Sequence, residues 1–436
     1  MQKVAIIGAG ISGLSAAITL KKNNVEFKVF EISNSPGGAF NTIEKFNCLM
    51  ESGPNSINNN DEELIDLINS LSIEKKVTYA NRYSKNRFVV KDKKILALPN
   101  SLLKFIFSNI LSYKSKINIF KELFNYSKTS HNETVFDFFE RRFGTEINDY
   151  FVNPFVSGIY GGDSSKLLMK TAFPKLIEFE NNYNSVLRGF IATKKRKKNK
   201  IITFKDGIGY LPKKMAETIQ ENIVYNYNLK KIEKINHNNW LIDDEIFTEI
   251  IFTQPSYNFK EIKTSFDLSF LDKIYYSPIT TVNLIFDIGD IKNPLKGYGV
   301  LIPDCENFFS LGVLFPSIIF SERCPKDKIL LTVFIGGAIH PERAFLEREK
   351  LLKFIMNDLK KLFEVNANPL NSFVKVWKNG IPQYDINAKN ALKKLKLIEE
   401  NFPGIYFAGN YRSGISIINS IKYSKNLALS IINKNK

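Results

Sequence analysis

The sequence predicts an α/β protein whose parallel sheet takes strands from both ends of the chain. Residues 3–31 read as an apolar strand, a glycine-rich turn, a helix and a second apolar strand that ends in an acid. Residues 405–417 repeat the first part of that order, with a strand, a glycine turn and the start of a helix. Short apolar strands joined by helices are typical of parallel sheets that are buried on both faces. The residues between the two ends are therefore expected to add strands to this sheet and to form inserted domains.

The turn after the first strand has the spacing G-x-G-x-x-G, formed by Gly8, Gly10 and Gly13. We expect Gly8 to allow a tight turn, Gly10 to let a pyrophosphate approach the backbone, and Gly13 to let helix and strand pack closely. The helix that follows would present free amides and its positive dipole end to phosphates. Glu31 ends the second strand about 20 residues downstream, where an acid accepts hydrogen bonds from a ribose. The turn predicts a Rossmann-like, dinucleotide-binding domain with contacts from Gly8, Ala9, Gly10, Ile11, Ser12, Gly13 and Glu31.

The composition indicates a globular protein and bears on the kind of partner that it binds. Hydrophobic residues make up 44% of the 436 residues, as in a globular chain, and the net charge is +17. This charge favours acidic partners such as anionic lipid or a polycarboxylate, and drift in base composition explains it equally well. No uncharged apolar run reaches the roughly 18 residues that a membrane-spanning helix needs. The basic run at 194–200 is read as a solvated loop, with a nucleic-acid or lipid patch as the alternative.

The sequence contains few candidates for catalytic or metal-ligating side chains. The three histidines stand far apart, and the chain has no H-E-x-x-H, no nucleophile elbow and no metal-ligand spacing. The odd count and scattered positions of Cys48, Cys305 and Cys324 favour a reducing compartment. If the protein is an enzyme, its chemistry is therefore expected to come from a bound cofactor.

Two further loops point to one kind of cofactor. Ser35–Gly38 ends in two glycines, and Glu51–Ser56 contains a Gly-Pro pair followed by two polar donors. A dinucleotide with a long body needs several backbone contacts of this kind beyond the first turn. At these positions the chain resembles the FAD-dependent amine-oxidase-like superfamily. The resemblance implies FAD as the cofactor and adds the contact residues Gly38, Ala39, Gly53, Pro54, Asn55 and Ser56.

Residues 133–163 carry the most specific resemblance. Arg141-Arg142-Phe143-Gly144 is followed by Pro154 and by a turn with Gly158, Ile159, Tyr160, Gly162 and Asp163. This pattern resembles the family of protoporphyrinogen and coproporphyrinogen oxidases, and the resemblance extends over nearly the whole chain. It implies oxidation of protoporphyrinogen IX to protoporphyrin IX in haem biosynthesis, by hydride transfer to flavin N5 with oxygen as the acceptor. Coproporphyrinogen III is the alternative substrate within the same family.

The same resemblance assigns roles to individual residues. Arg87 stands in an N-R-F motif, where an arginine fork binds a propionate; a surface arginine on a strand is the alternative. Gly158 leaves room for a pyrrole, and Leu301 and Phe320 would form apolar walls, although core packing explains these two equally well. Leu229 would contact adenine through its backbone. The turn before the last helix would face the flavin pyrimidine through Gly409, Asn410, Gly414, Ile415, Ser416 and Ile417.

The order of these features predicts five segments. They are residues 1–80, 201–255 and 371–436 for the FAD-binding domain, 81–200 for a mainly helical insertion, and 256–370 for a mixed-sheet substrate domain.

The C-terminal segment 371–436 departs from the family at one place, because Asn387-Ala388 stands where relatives carry Gly-His after the P-Q-Y motif. We expect this change to tune the site rather than to abolish activity.

Apolar residues in the insertion form a helical stripe at Leu103, Ile106, Phe107, Ile110 and Leu111, with lysines nearby. Such an amphipathic helix either packs on a core or lies in a membrane interface. The predicted location is the cytoplasm, with peripheral contact at the inner face of the membrane. Predicted partners are the porphyrinogen, oxygen or another electron acceptor, ferrochelatase and a second copy of the chain; nucleic acid and metal are not expected.

Relatives with the same fold define the competing functions. An amine oxidase with covalent flavin would need a cysteine near the C-terminus, whereas the last cysteine here is Cys324. A desaturase would have an apolar tunnel without an arginine. A binder similar to GDP dissociation inhibitor would do no chemistry and would be colourless, which the intact glycine turn and Glu31 argue against.

Overall fold

The strands of the protein, numbered along the chain, are known from a computed structural model that describes residues 2–59, 61–99, 101–193, 200–237, 239–292 and 296–434. They are Lys3–Ile7 (β1), Glu26–Phe30 (β2), Thr42–Lys45 (β3), Cys48–Glu51 (β4), Ile57–Asn58 (β5), Val77–Tyr79 (β6), Phe88–Lys91 (β7), Lys94–Ala97 (β8), Ile201–Phe204 (β9), Ile223–Val224 (β10), Glu233–Lys234 (β11), Trp240–Ile242 (β12), Glu245–Phe247 (β13), Glu249–Phe252 (β14), Tyr276–Asp287 (β15), Gly299–Leu301 (β16), Gly312–Leu314 (β17), Lys328–Gly336 (β18), Asn371–Pro382 (β19) and Ile405–Phe407 (β20).

The helices are numbered in the same way. They are Ile11–Lys22 (α1), Glu62–Ser70 (α2), Leu102–Ile106 (α3), Tyr113–Glu122 (α4), Val135–Phe143 (α5), Thr145–Ile147 (α6), Asn153–Tyr160 (α7), Met169–Ala172 (α8), Pro174–Tyr183 (α9), Val186–Ala192 (α10), Tyr210–Glu217 (α11), Pro316–Ile319 (α12), Arg348–Phe363 (α13), Ile386–Asn401 (α14), Asn410–Ser413 (α15) and Ile417–Lys434 (α16). The predicted basic loop at 194–200 lies outside the described residues except for Lys200.

A five-stranded parallel sheet has the order β10-β2-β1-β14-β20. Val4 and Ile6 of the central strand β1 pack on one face in the apolar cluster that includes residues of α1 and α16. Ala5 and Ile7 pack on the other face, in the cluster that includes residues of α14. Burial on both faces explains why β1 is apolar throughout its interior. The predicted α/β fold with a Rossmann-like domain is confirmed, and both ends of the sequence meet in this sheet.

A mixed seven-stranded sheet has the order β19-β15-β18-β17-β16-β7-β8, in which β7 and β16 are parallel and the other neighbours antiparallel. Helix α13 packs on it through an apolar cluster with β15 and β18. The sheet takes β7 and β8 from the segment 81–200 and β19 from 371–436, in addition to the strands of the predicted substrate segment 256–370. These strands pair with partners far away in sequence, and their own pattern does not show which sheet they join.

The insertion is helical between 102 and 192, but the helix predicted through its apolar stripe is wrong. Helix α3 ends at Ile106, and α4 begins at Tyr113 after the N-cap Ser112. The Ser108 hydroxyl donates to the carbonyl oxygen of Phe105, which closes a turn in place of a further helical turn. Serine favours such local bonds over helix interiors, and this outweighs the apolar periodicity.

The predicted R-R-x-G motif holds the insertion together. Arg142 of α5 is buried and lies 2.7 Å from Glu122 of α4 and 2.6 Å from Glu180 of α9. Glu122 also accepts a hydrogen bond from the amide of Val186 at 2.7 Å, at the start of α10. This motif therefore fixes the packing of four helices, which is a structural role.

The cysteines depart from the predicted arrangement. Cys48 of β4 and Cys324 form a disulfide between positions 276 residues apart in sequence, while Cys305 is free and exposed. This disulfide contradicts the expectation of a reducing compartment. Cysteines so far apart in sequence form no motif, so the sequence alone could not predict the pair. In the part of the chain that the structure describes, none of the helices is both long and apolar enough to cross a bilayer.

Candidate active site

The glycine turn between β1 and α1 has a different constraint at each glycine. Gly8 has a φ of +109°, a conformation that residues with side chains rarely adopt. A Cβ atom on Gly13 would lie 1.9 Å from the carbonyl oxygen of Gly8, so α1 and β1 are too close for a side chain there. A Cβ atom on Gly10 would meet nothing within 4 Å. The backbone at Gly10 is therefore open to an outside group, as close approach of a phosphate requires.

Glu31 follows β2 and is buried beside this turn. Its carboxylate accepts hydrogen bonds from the amides of Ala9 at 2.6 Å and Ser33 at 2.8 Å. Its backbone is fixed as well, because its amide donates to Val224 and its carbonyl accepts from the amide of Tyr227, both at 2.9 Å. The acid predicted to bind a ribose therefore stands directly at the glycine turn.

The two loops predicted to continue the cofactor site lie against this turn. A Cβ atom on Gly38 would lie 3.8 Å from the Cα atom of Gly10. A Cβ atom on Gly53 would lie 2.0 Å from the carbonyl oxygen of Ala39, so the second loop packs tightly on the first. The side-chain oxygen of Asn55 is buried and finds no hydrogen-bond partner among the described residues. The first loop therefore lies against the glycine turn and the second packs on the first, with a buried polar atom that has no partner in the described part of the chain.

Thr253, directly after β14, joins the glycine turn to the turn after β20. Its hydroxyl is 2.9 Å from the carbonyl oxygen of Ile7 and 3.0 Å from that of Gly8. Its own carbonyl oxygen lies 3.2 Å from the Cβ position of Gly409, where φ is +112°. The two turns thus meet at the carboxyl edge of the parallel sheet, where ligands of open α/β sheets bind. Sequence reasoning missed Thr253 and Gln254, although a position directly after a central strand was an available signal.

The turn after β20 is held from two sides. Arg412 forms a two-pronged ion pair with Glu399 at 2.7 and 2.6 Å, and Tyr384 donates to the carbonyl oxygen of Asn410 at 2.5 Å. Burial by itself would lower the pKa of Arg412, but the hydrogen bonds to Glu399 raise it above its usual value. The amides of residues 415–417 donate to no acceptor within the described ranges. They are free donors at the positive end of the long helix α16.

The predicted substrate residues lie around β7, β16 and α7. The Arg87 guanidinium stacks on the ring of Tyr298 at 4.9 Å from the ring centre, and the Tyr298 hydroxyl is 2.9 Å from that of Ser56. A Cβ atom on Gly158 would lie 2.6 Å from a methyl carbon of Leu301. Because β16, which carries Leu301, pairs with β7 directly after Arg87, these residues frame one region beside the loop 53–56.

Comparison with known proteins shows the family to which this chain belongs. The sequence pattern described as flavin containing amine oxidoreductase matches residues 11–420. The chain belongs to this family. Protoporphyrinogen oxidase 2, chloroplastic/mitochondrial, of Arabidopsis thaliana is 30% identical over 96% of this chain and 92% of its own. Coproporphyrinogen III oxidase of Bacillus subtilis is 24% identical over 97% of this chain and 96% of its own.

A solved structure shows the same fold. A protein of Exiguobacterium sp. 255-15 with a provisional protoporphyrinogen oxidase assignment superposes with a TM-score of 0.82 at 19% identity, covering 99% of this chain and 98% of its own. As a flavin containing amine oxidoreductase, this chain is an FAD-dependent oxidoreductase. Its residues fit the cofactor: the face of Gly10 is open, and Asn55 and Gln254 each have a buried polar atom without a partner among the described residues.

Three other predicted positions have different surroundings. Phe320 is 2% exposed and lies over the buried Arg323, which favours the core-packing alternative over a wall of the substrate site. Ala388 lies in the core at the first turn of α14, where its amide donates to Asp385 at 2.9 Å. Neither the amide nor the carbonyl of Leu229 forms a backbone hydrogen bond with another described residue. The backbone of Leu229 therefore remains available to a ligand.

Proposed function

We propose that this FAD-dependent oxidoreductase converts protoporphyrinogen IX to protoporphyrin IX, with oxygen as the electron acceptor. The observation that carries the proposal is the position of Arg87, an exposed guanidinium stacked on Tyr298 beside the loop 53–56. A cation at this place would repel an amine substrate, whereas the propionates of a porphyrinogen would be attracted to it. The names of the two relatives described above support the same substrate class.

In this proposal FAD lies along the carboxyl edge of the parallel sheet. The proposed contacts, from the adenine end to the flavin, are Leu229, Glu31, residues 8–13, 38–39, 53–56 and the turn 409–417. Glu31 would exchange its hydrogen bonds to amides for bonds to ribose hydroxyls, and the free amides of 415–417 would stabilise negative charge on the pyrimidine. When bound, FAD supplies the acceptor for a hydride from a bridge carbon of the macrocycle.

The chain's own residues would orient the macrocycle. Arg87 has a free N–H fork, since no carboxylate of the described residues pairs with it, and would bind one propionate through two hydrogen bonds. The space over Gly158 is occupied by a methyl group of Leu301. Because this methyl group is the end of a flexible side chain, it can rotate away and admit a pyrrole ring.

The decisive experiment is anaerobic reduction of the purified yellow protein by protoporphyrinogen IX and by coproporphyrinogen III, side by side. We expect protoporphyrinogen IX to bleach the flavin absorbance faster, and admission of air to restore it. Putrescine serves as the control substrate for an amine oxidase. Bleaching by putrescine and by neither porphyrinogen would contradict the proposal.

Coproporphyrinogen III is the second candidate, because further cations stand in the two segments that carry Arg87 and Tyr298. No carboxylate of the described residues pairs with Arg82, Lys85 or Lys296, which belong to the same two segments as Arg87 and Tyr298. The pKa of the Tyr83 hydroxyl is lowered by its hydrogen bond from Arg82 and by the charge of Lys296. A cluster of this kind would match a substrate with four carboxylates. Faster bleaching of the flavin by coproporphyrinogen III would favour this second candidate.

Peripheral membrane contact is proposed for the outer face of α4 and the turn after it. The exposed side chains on this face are Tyr113, Ile117, Phe120 and Phe124, with Lys114, Lys116 and Lys121 beside them. Aromatic residues flanked by lysines suit the interface of an anionic membrane. The Phe120→Asp/Phe124→Asp variant should lose sedimentation with anionic vesicles, while Phe345→Asp, at an exposed ring elsewhere, should keep it. A cytoplasmic location, ferrochelatase and a second copy of the chain stay predictions.

A further inference from the structure

We propose that Tyr298 is a positioning residue, which holds the Arg87 guanidinium and ties it to the loop 53–56. One carboxylate of the substrate would then be held at a set place relative to the flavin. This inference rests on the proposed function, because it takes Arg87 as the residue that binds a propionate. Tyr298 does not itself contact the substrate in this scheme and acts through Arg87.

The first step is the contact between the two side chains. Arg87 is exposed, and its guanidinium lies 4.9 Å from the centre of the Tyr298 ring. An exposed arginine without a partner samples many rotamers, and ordering it lowers the affinity for whatever it binds. The ring holds the flat guanidinium by its face and leaves the N–H fork free for a carboxylate.

The backbone of Tyr298 is fixed next to the backbone of Arg87. The amide of Tyr298 donates to the carbonyl oxygen of Asn86 at 2.9 Å, one residue before Arg87. The Asn86 side chain donates in turn to the carbonyl oxygen of Lys296 at 2.8 Å. Directly after these contacts, Val300 begins the parallel pairing with β7. The backbone of Tyr298 therefore cannot move away from Asn86 without breaking the start of this strand pair, and the contact of its hydroxyl with Ser56 orients the ring.

The second step is the link from Tyr298 to the cofactor loop. Its hydroxyl and that of Ser56 are 2.9 Å apart, although 242 residues separate them in sequence. Ser56 belongs to the loop whose Gly53 packs directly on the backbone of Ala39. A hydrogen-bonded path of two hydroxyls therefore leads from the cofactor loop to the carboxylate-binding arginine.

The test measures binding of protoporphyrin IX and of its dimethyl ester to the FAD-loaded protein, by porphyrin fluorescence. The ester lacks both carboxylates, so the ratio of the two dissociation constants reports recognition of carboxylate alone. We expect Arg87→Ala to abolish the preference for the acid. Tyr298→Leu should reduce it about fivefold, the upper end for one exposed cation–π contact, and should add nothing in the Arg87→Ala background.

Two milder variants test the link to the loop. Tyr298→Phe keeps the ring and removes the hydroxyl, and Ser56→Ala removes the partner hydroxyl; each should reduce the preference about threefold. Tyr79→Leu is the matched control, because it removes a ring that lies 5.0 Å from Lys200 on another sheet. It should leave the preference unchanged.

The outcomes separate this inference from the proposed function. An unchanged preference in Tyr298→Leu beside a lost preference in Arg87→Ala would overturn the positioning role and leave the function standing, as would strictly additive effects of the two. If Tyr298→Leu does not fold, an unchanged preference in both Tyr298→Phe and Ser56→Ala overturns the inference. A wild-type protein that is not bleached by any porphyrinogen removes the proposed function and the inference with it.

Discussion

Three different structural constraints explain the three glycines of the turn, Gly8, Gly10 and Gly13. Gly8 is required by its positive φ, and Gly13 by the carbonyl oxygen that its Cβ atom would strike. Gly10 alone of these three has open space at its Cβ position. Its lack of a side chain is therefore explained by what approaches from outside rather than by the fold.

The two alanine variants Gly10→Ala and Gly13→Ala should separate these demands. Gly10→Ala should unfold at the same temperature as the cofactor-free wild type but bind FAD at least about tenfold more weakly, because its methyl group enters the phosphate space. Gly13→Ala should lower the free energy of unfolding by about 2 kcal/mol or more, because α1 must move off β1. Thermal melts and FAD titration check both. Equal FAD affinity in Gly10→Ala and wild type would contradict the proposed pyrophosphate site.

Arg87→Ala should raise KM for the porphyrinogen about tenfold or more, the size of a lost charge-assisted hydrogen-bond pair. The absorbance spectrum of bound FAD should not change, since the contacts of Arg87 in the described part of the chain lead to the loop 53–56 indirectly, through Tyr298 and Ser56. Steady-state kinetics and the flavin spectrum measure the two effects. Arg82→Ala is the comparison, and a rise in KM confined to coproporphyrinogen III there would support the substrate with four carboxylates.

At the scale of elements, an ion pair attaches the helices of the insertion to the seven-stranded sheet. Lys91 at the end of β7 lies 2.5 Å from Glu146 in α6 and also donates to the carbonyl oxygen of Ile110. Glu146 accepts in addition from the amide of Ser112, the N-cap of α4. One carboxylate therefore joins a strand, the turn before α4 and the cap of that helix.

This attachment should depend on pH. Burial would raise the pKa of Glu146, but hydrogen bonds from Lys91 and Ser112 outweigh it and lower the pKa from 4.5 to about 2. Because the folded-state pKa is the lower one, the contribution of Glu146 to stability is complete above about pH 4.5 and is lost as the pH falls to 2. We expect amides of α4 to exchange faster in this window, after correction for the intrinsic rate.

The variant Glu146→Gln identifies the group responsible. It should lower the free energy of unfolding at neutral pH by about 1–2 kcal/mol and weaken the acid dependence of exchange in α4. Glu400→Gln, at an exposed position of α14, is the control and should behave as the wild type. The same acid dependence in all three proteins would rule out Glu146 as its source.

At the scale of the whole molecule, β4 connects the loops at residues 35–38 and 51–56 to the seven-stranded sheet. Glu51 at its end forms a buried ion pair with Arg323 at 2.5 Å and accepts from the amide of Ile208 at 2.8 Å. The carbonyl oxygen of Glu51 accepts from Asn283 of β15 at 3.1 Å. The disulfide between Cys48 and Cys324 crosses the same boundary. The strand β4 therefore carries both the polar contacts of Glu51 and the disulfide of Cys48.

Loss of the disulfide should destabilise the protein without removing FAD. A crosslink over 276 residues restricts the unfolded chain strongly, and the double variant Cys48→Ala/Cys324→Ala should lower the free energy of unfolding by about 2–5 kcal/mol. The ion pair at Glu51 should keep the cofactor loops in place. Denaturant titrations with and without reductant measure the effect, and Cys305→Ala is the control. Equal stability of the reduced and oxidised protein would contradict this role.

The parts of the site that the sequence predicted depend on near neighbours in the chain. Gly8 to Glu31 form one strand-turn-helix-strand unit, so their spacing alone predicts their geometry. The contacts of Thr253 with Gly8 and of Tyr298 with Ser56 escaped prediction, because they join residues that are 245 and 242 positions apart in sequence. The membership of the seven-stranded sheet escaped prediction for the same reason, since β7, β8 and β19 pair with strands that lie elsewhere in the sequence.

By itself the sequence determined the α/β class, the glycine turn with its acid, the two glycine loops and the helix that ends the chain. Each of these rests on short-range backbone constraints that a residue type imposes wherever it stands. The tertiary structure decided that Cys48 meets Cys324, that Arg87 rests on Tyr298, and that Phe320 belongs to the core. Such contacts form when distant strands pair and bury their apolar faces together, and no local pattern specifies which strands those are.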